Sequence, residues 1–219
     1  MADTILTASQ KKALLVIAAD PIVKTQFYLT GGTALSEFYL QHRLSEDLDF
    51  FSEKEIDLVW LTALAKKVKS TIGASAIDIQ QSFNRNLVFF TVRNQVLKTE
   101  FTFFPFAQIE KPTLRSGFPV DSLIDIAVNK FFTIYQKPAS RHFIDLYCIL
   151  KMSSFQWDDL AKLARIKFDV SIDPLQLGSQ LITAKTIGQL PNMIGDLKEN
   201  AWRTFYLKKA EQLKIHIGK

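Results

Sequence analysis

Apolar and polar positions alternate between two rhythms over the first 110 residues. From Ala8 to Ala19 the spacing is helical, with Ala13, Leu14, Ile17 and Ala18 on one face and Thr7 or Ser9 placed to cap it. Phe27-Tyr28-Leu29-Thr30 is a short β-favouring run that halts at Gly31-Gly32, and Thr33 to Gln41, free of glycine and proline, predicts a helix after it. A second strand is expected over Asp47 to Phe51. A long helix then runs from Glu55 to Ile72, with Leu58, Leu61, Leu64, Ala65 and Val68 as its buried stripe. Next come three β-rich runs, Ala76 to Gln80, Leu87 to Arg93 and Val96 to Phe104; Asn84-Arg85-Asn86 and Asn94-Gln95 between them read as hairpin turns.

Pro105, Pro112, Gly117 and Pro119 then break both rhythms and mark the candidate domain boundary. Beyond it the pattern is helical. Asp121 can cap a helix to about Gln136 and Ser140 another through Lys151, with further helical segments near 156–166, 174–187 and 195–214. The expectation is an α+β protein: a mixed-sheet domain with flanking helices over residues 1–110, then a helical half over 111–219.

Composition narrows the class. With 219 residues, 47% hydrophobic and 22% charged, the chain can bury a core without a disulfide or metal staple. The longest apolar run, Ala13 to Ala19, is far too short to span a membrane. It follows Lys11-Lys12, but Asp3 before it and Asp20-Pro21 after it argue against a secretory leader. A single cysteine, Cys148 in the apolar run Ile144 to Leu150, forms no internal disulfide and reads as packing; a cytoplasmic protein is expected. Charge is uneven. Residues 1–110 carry 11 Lys+Arg against 12 Asp+Glu, whereas residues 111–219 carry 16 against 10. That suits a polyanionic partner for the second half, and suits solvated lysines equally well.

The most pointed chemistry is Asp47-Leu48-Asp49-Phe50. In a strand its two carboxylates share one face about 7 Å apart, where they repel unless a hard divalent cation lies between them or the strand faces solvent. Gly31-Gly32, between strand and helix, exposes backbone N–H groups to an anion, with Thr33 and Ser36 as further hydroxyl donors; a plain tight turn explains it too. Taken together the two features gain weight, because one short helix and a return loop bring the second strand beside the first.

These residues carry a resemblance. Leu29-Thr30-Gly31-Gly32-Thr33-Ala34-Leu35, followed by His42-Arg43-Leu44-Ser45-Glu46-Asp47-Leu48-Asp49-Phe50-Phe51, resembles the signature of the DNA polymerase β superfamily of nucleotidyltransferases, and more narrowly the AbiEii/AbiGii toxin family. The resemblance implies that Gly31 and Gly32 hold a triphosphate and that Asp47 and Asp49 bind divalent metal, Mg²⁺ or Mn²⁺. Nucleotide contacts are implied for Thr33, Arg43 and Ser45. The superfamily adds a third carboxylate from a neighbouring strand, and Glu100 in Val96-Leu97-Lys98-Thr99-Glu100-Phe101 is the candidate metal ligand, although aspartate is commoner there; a surface Lys98–Glu100 pair is the alternative. Alternation puts Leu97, Phe101 and Phe103 toward the core and Lys98, Glu100 and Thr102 on the other side.

Downstream, Asn129-Lys130 and Arg141-His142-Phe143-Ile144-Asp145-Leu146 resemble the family's lysine and its RDFxDL segment, with His142 where the family often has Asp. This implies that Lys130 contacts nucleotide phosphate, that Arg141 helps bind the nucleotide and that Asp145 completes the pocket. Read without the family, Asp145 is an acid in an apolar helix that needs a partner, Arg141 or Lys130. The implied reaction is transfer of an NMP from an NTP to an acceptor hydroxyl, with RNA such as tRNA as the expected acceptor. A bacterial toxin–antitoxin system with a separate antitoxin protein as partner is implied as well. Alternatives are a protein or small-molecule acceptor, or a non-catalytic nucleotide-binding module. Among weaker features, His42 and His216 read as structural or solvated. The last helix, with Lys198, Arg203, Lys208, Lys209, Lys214 and Lys219 around Trp202, Phe205 and Tyr206, closes the fold or binds RNA backbone.

Overall fold

The computed structural model describes residues 4–217, with the side chains of Lys214 and His216 not among what it describes; Asp3 and Lys219 lie outside that range. The chain forms two compact units, one of residues 1–107 and 111–122, the other of 108–110 and 123–219.

The first unit is built on a sheet with strand order β3-β4-β5-β2-β1-β7-β6. Its strands are β1 (Tyr28–Thr30), β2 (Asp47–Ser52), β3 (Ala76–Ser82), β4 (Arg85–Val92), β5 (Gln95–Phe103), β6 (Thr113–Arg115) and β7 (Phe118–Val120). The β3-β4-β5 meander forms through two-residue turns; β2 lies parallel to β5 and antiparallel to β1. The proline-rich stretch expected only to break structure supplies the β6/β7 ribbon. Pro119 is the middle residue of β7, which pairs with β1 only at Val120.

Helix α1 (Ala8–Ala19) starts at Thr7, whose side chain and that of Gln10 cap each other's backbone N–H groups, and it packs beside α4 (Leu58–Ile72). Its neighbour α2 (Pro21–Gln26) has no apolar period to announce it. Local chemistry makes it: Asp20 accepts from the N–H groups of Ile22 and Val23, and Pro21 is pre-set for the first helical position. Asp57 caps α4 and starts it three residues later than the expected Glu55, which leaves Leu58 exposed and moves the buried stripe to Leu61, Leu64, Ala65, Val68 and Ile72. After the glycines, α3 (Gly31–Leu35) widens into a π-turn over Ser36–Leu40 and stops at Gln41 in the left-handed conformation. On one face of β2 and β5, Leu48, Phe50 and Phe101 are buried, and Phe101 stacks on Phe50 and meets Phe27 and Trp60 edge-to-face. Covering one face with helices leaves the opposite face of these strands for polar side chains.

The second unit is helical: α5 (Leu123–Gln136), α6 (Ser140–Met152), α7 (Trp157–Phe168), α8 (Pro174–Ile182) with a 3₁₀ turn to Lys185, and α9 (Glu199–Ile217). Ser140 is not the cap of α6. Ala139 holds that position, and the Ser140 hydroxyl donates to the Gln189 carbonyl at 2.6 Å. Trp202 and Tyr206 of α9 are fully buried, and the Tyr206 hydroxyl donates to the Phe143 carbonyl at 2.8 Å. Burial pushes that phenol well above its ordinary pKa. Arg203 spends its guanidinium on the carbonyls of Ala184 and Ile187.

Candidate active site

Pairing register assembles the site in the first unit. Thr30 stands opposite Asp49 across β1/β2, while Asp47 and Asp49 stand opposite Lys98 and Glu100 across β2/β5. In-register partners on adjacent strands share a face, so Asp47, Asp49, Lys98 and Glu100 form one polar cluster on the side away from Leu48, Phe50 and Phe101. Lys98 Nζ lies 2.6 Å from Asp47 Oδ2 and 3.8 Å from Glu100 Oε2. Both oxygens of Glu100 are gripped by Arg85, Nε to Oε1 at 2.7 Å and Nη2 to Oε2 at 2.6 Å, and Thr102 donates to Oε1 at 2.8 Å. Burial alone would push the Glu100 carboxyl up; the hydrogen bonds from Arg85 and Thr102 and the charges of Arg85 and Lys98 outweigh it and hold the group below the usual carboxylate value. The hydrogen bond to Glu100 in turn raises the Arg85 pKa.

The glycine turn serves the same cluster. Gly31 has φ +74°, and a Cβ there would run into the Asp49 carboxylate. A Cβ on Gly32 would strike the Arg43 guanidinium and sit 2.9 Å from Ser45 Oγ. These two bare backbones therefore make room for the chain's own Asp49 and Arg43. Thr33 is fully buried, with its hydroxyl donating to the Asp47 carbonyl, and thereby ties α3 to β2. Ser36 is fully buried near His42 Nδ1. Arg43 is buried and donates through Nη1 to the Leu44 carbonyl at 2.9 Å. At the base of the turn, the Thr30 hydroxyl donates to Asp121 Oδ2 at 2.7 Å, a buried contact for a residue expected only as a helix cap.

Lys130, Asp145 and Arg141 belong to the helical unit. Of the two partners open to Asp145, Lys130 is the one within reach, at 2.7 Å, with both side chains buried; Arg141 is exposed. A second buried pair, Lys167–Asp125 at 2.6 Å, has Asp125 also accepting from the backbone N–H groups of Ile109 and Glu110. The Lys98–Glu100 pairing weighed from the sequence is present at 3.8 Å, but Lys98 lies closer to Asp47, and Arg85 as the partner of Glu100 was not expected. Asn84-Arg85-Asn86, expected as the turn, hid Arg85: the turn is Phe83-Asn84 and β4 begins at Arg85, opposite Ser82 on β3 and Thr102 on β5.

The residues that could hold a hard divalent cation are Asp47 and Asp49, alternate positions on one face of β2, and the Lys98 ammonium already lies between Asp47 and Glu100. Among the described residues no group of three acidic, His or Cys side chains is arranged to hold a metal ion, so the fit rests on Asp47 and Asp49. No helix among the described residues is long and apolar enough to cross a membrane.

Known proteins match this chain in sequence and in fold. A family model described as nucleotidyl transferase AbiEii toxin, type IV TA system, matches residues 13–211. An uncharacterized protein of Aquifex aeolicus is 28% identical over 167 residues, 74% of this chain and 76% of its own length. The structure is similar to that of JHP933 from Helicobacter pylori (TM-score 0.58, 24% identity, covering 96% of this chain and 94% of that one). It is also similar to MenT4, a nucleotidyltransferase toxin from Mycobacterium tuberculosis (TM-score 0.54, 16% identity, covering 95% and 86%). At such identities the two structures speak for a shared fold.

Proposed function

The chain belongs to the AbiEii nucleotidyltransferase toxin family and is a nucleotidyltransferase, and from that premise we propose that it moves an NMP from an NTP to a hydroxyl of RNA, with tRNA as the expected substrate, in a divalent-metal-dependent reaction. The observation that carries this reading is the meeting of Asp49 with Gly31: one carboxylate of the DxD pair lies directly against the turn where the resemblance puts the triphosphate.

The acceptor oxygen attacks the α-phosphorus, the bond from that phosphorus to the oxygen bridging to the β-phosphate breaks, pyrophosphate leaves and the hydroxyl proton passes to water. Asp47 and Asp49 would hold Mg²⁺ or Mn²⁺. Such an ion, when bound, lowers the pKa of the attacking hydroxyl and neutralises charge on the leaving pyrophosphate. The glycine-turn backbone and Arg43 beside it offer N–H donors and positive charge to the phosphates, and Ser45 lies next to both. Thr33 acts indirectly, by fixing Asp47 relative to the turn. For Lys130, Arg141 and Asp145 the resemblance supplies a nucleotide role. Lys130→Ala is expected to lower transfer by more than it lowers the folded fraction. An antitoxin protein is the expected partner, and a cytoplasmic setting, where NTPs and tRNA occur together, fits the chemistry.

The test incubates the purified protein with Mg²⁺, each α-labelled NTP in turn and total tRNA, beside the Asp47→Ala/Asp49→Ala double variant and an EDTA control. Label on tRNA that disappears in both controls is the expected result. Label that persists in EDTA would refute the metal, and label found only on protein or small molecules would refute the RNA acceptor.

A further inference from the structure

The two flanks of the Asp47/Asp49 pair differ. On the β1 flank lie the glycine turn and Arg43. Across β5 and β4, on the other flank, Arg85 is half-exposed, and Leu87 and Phe89, whose register partners are Glu100 and Lys98, stand half-buried on the same face. Glu100 is withdrawn beneath them at 6% side-chain exposure, with both oxygens given to Arg85. A fork of this kind fixes the plane of the guanidinium. It uses Nε and Nη2, and Arg85 Nη1 makes no hydrogen bond among the described residues, so an oriented pair of donors faces outward.

Phosphoryl transfer needs the attacking and leaving oxygens roughly in line across the phosphorus, which puts acceptor and pyrophosphate on opposite sides of the reacting centre. If the glycine turn takes the triphosphate, the Arg85 flank faces the acceptor. We infer that Arg85 holds a backbone phosphate of the RNA acceptor, and that Glu100 is the positioning residue that fixes Arg85. The inference rests on the RNA reading above. It separates Glu100 from the metal: a carboxylate committed on both oxygens to a guanidinium serves the cation it holds. Leu87 and Phe89, wet on one side, give the adjoining nucleotide an apolar surface.

The experiment uses the full chain and its Arg85→Gln, Arg85→Lys, Glu100→Gln and Arg85→Gln/Glu100→Gln variants. It measures fluorescence-anisotropy binding of labelled tRNA across a salt series, equilibrium dialysis of NTP, and Mn²⁺ binding by electron paramagnetic resonance. Arg85→Gln should weaken tRNA binding about five- to tenfold and reduce the slope of log affinity against log salt by about one. Glu100→Gln should cause a similar loss, with the double variant no worse than either single one, and Arg85→Lys should keep the slope while regaining only part of the affinity. NTP and Mn²⁺ binding should stay at wild-type levels throughout. Unchanged tRNA binding in Arg85→Gln, or lost Mn²⁺ binding in Glu100→Gln, would overturn the inference while leaving the RNA reading intact. A wild type that transfers label elsewhere and binds no tRNA would overturn both.

Discussion

Lys98–Asp47 on the sheet and Lys167–Asp125 in the helical unit are ion pairs of the same length, 2.6 Å, in opposite surroundings. The sheet pair is open, at 25% and 39% side-chain exposure; the helical pair is sealed, at 1% and 0%. An exposed pair contributes about 0–1 kcal/mol, so Asp47 can exchange its ammonium for another cation at little cost to the fold. A sealed pair cannot open without stranding a charge, which costs roughly 3–5 kcal/mol. The same two residue types thus stand open to solvent in one unit and sealed from it in the other. Lys130–Asp145, at 9% and 0%, lies near the sealed end.

The largest effect that bears on this contrast is catalytic. Asp47→Asn/Asp49→Asn should reduce transfer at least about a thousandfold while moving the thermal midpoint by only a few degrees. A variant that loses its fold instead would make the sheet pair architectural. Second, Lys167→Met should lower stability in a urea melt by about 3–5 kcal/mol because Asp125 stays buried. Lys167→Met/Asp125→Leu should regain much of that loss, and an unshifted midpoint in the single variant would break the contrast from the helical side.

Gly31→Ala sharpens it further. The left-handed backbone alone costs about 1–2 kcal/mol. The added Cβ also displaces Asp49, so transfer should fall further than the melt explains. Smallest is the pH dependence of the Glu100–Arg85 pair. Because the Glu100 pKa is lowered on folding, its contribution is present above the ordinary carboxylate value of about 4.3 and is lost as pH falls through the lower folded one. Wild type should therefore melt above Glu100→Gln at pH 7, and the gap should close in acid below about pH 4; with Arg85 half-exposed, it is of order 1 kcal/mol. A gap that widened in acid would contradict the lowered pKa.

Most strands and helices were legible because their signals are local. Thr7 and Gln10 form the capping box of α1. In β2 the half-buried Asp47, Asp49 and Phe51 alternate with the buried Leu48, Phe50 and Ser52, the two-residue period that the sequence displays. The misses had different causes, one local and one long-range. Helix α2 is one cap and one proline with no apolar period, and Ser140 looked like a cap until its hydroxyl found the Gln189 carbonyl, 49 residues away.

By itself the sequence determined the polar pattern of β2, the turn that needs two glycines, and the family to which both point. Alternation and backbone conformation depend only on neighbouring residues. Only the tertiary structure decided the partners: Lys98 for Asp47, Arg85 for Glu100, Lys130 rather than Arg141 for Asp145, Asp121 for Thr30. Those choices join residues far apart in the chain. Strand order, pairing register and the depth of burial fix them together, and burial then decides which ion pairs stay open to exchange and which are sealed into the fold.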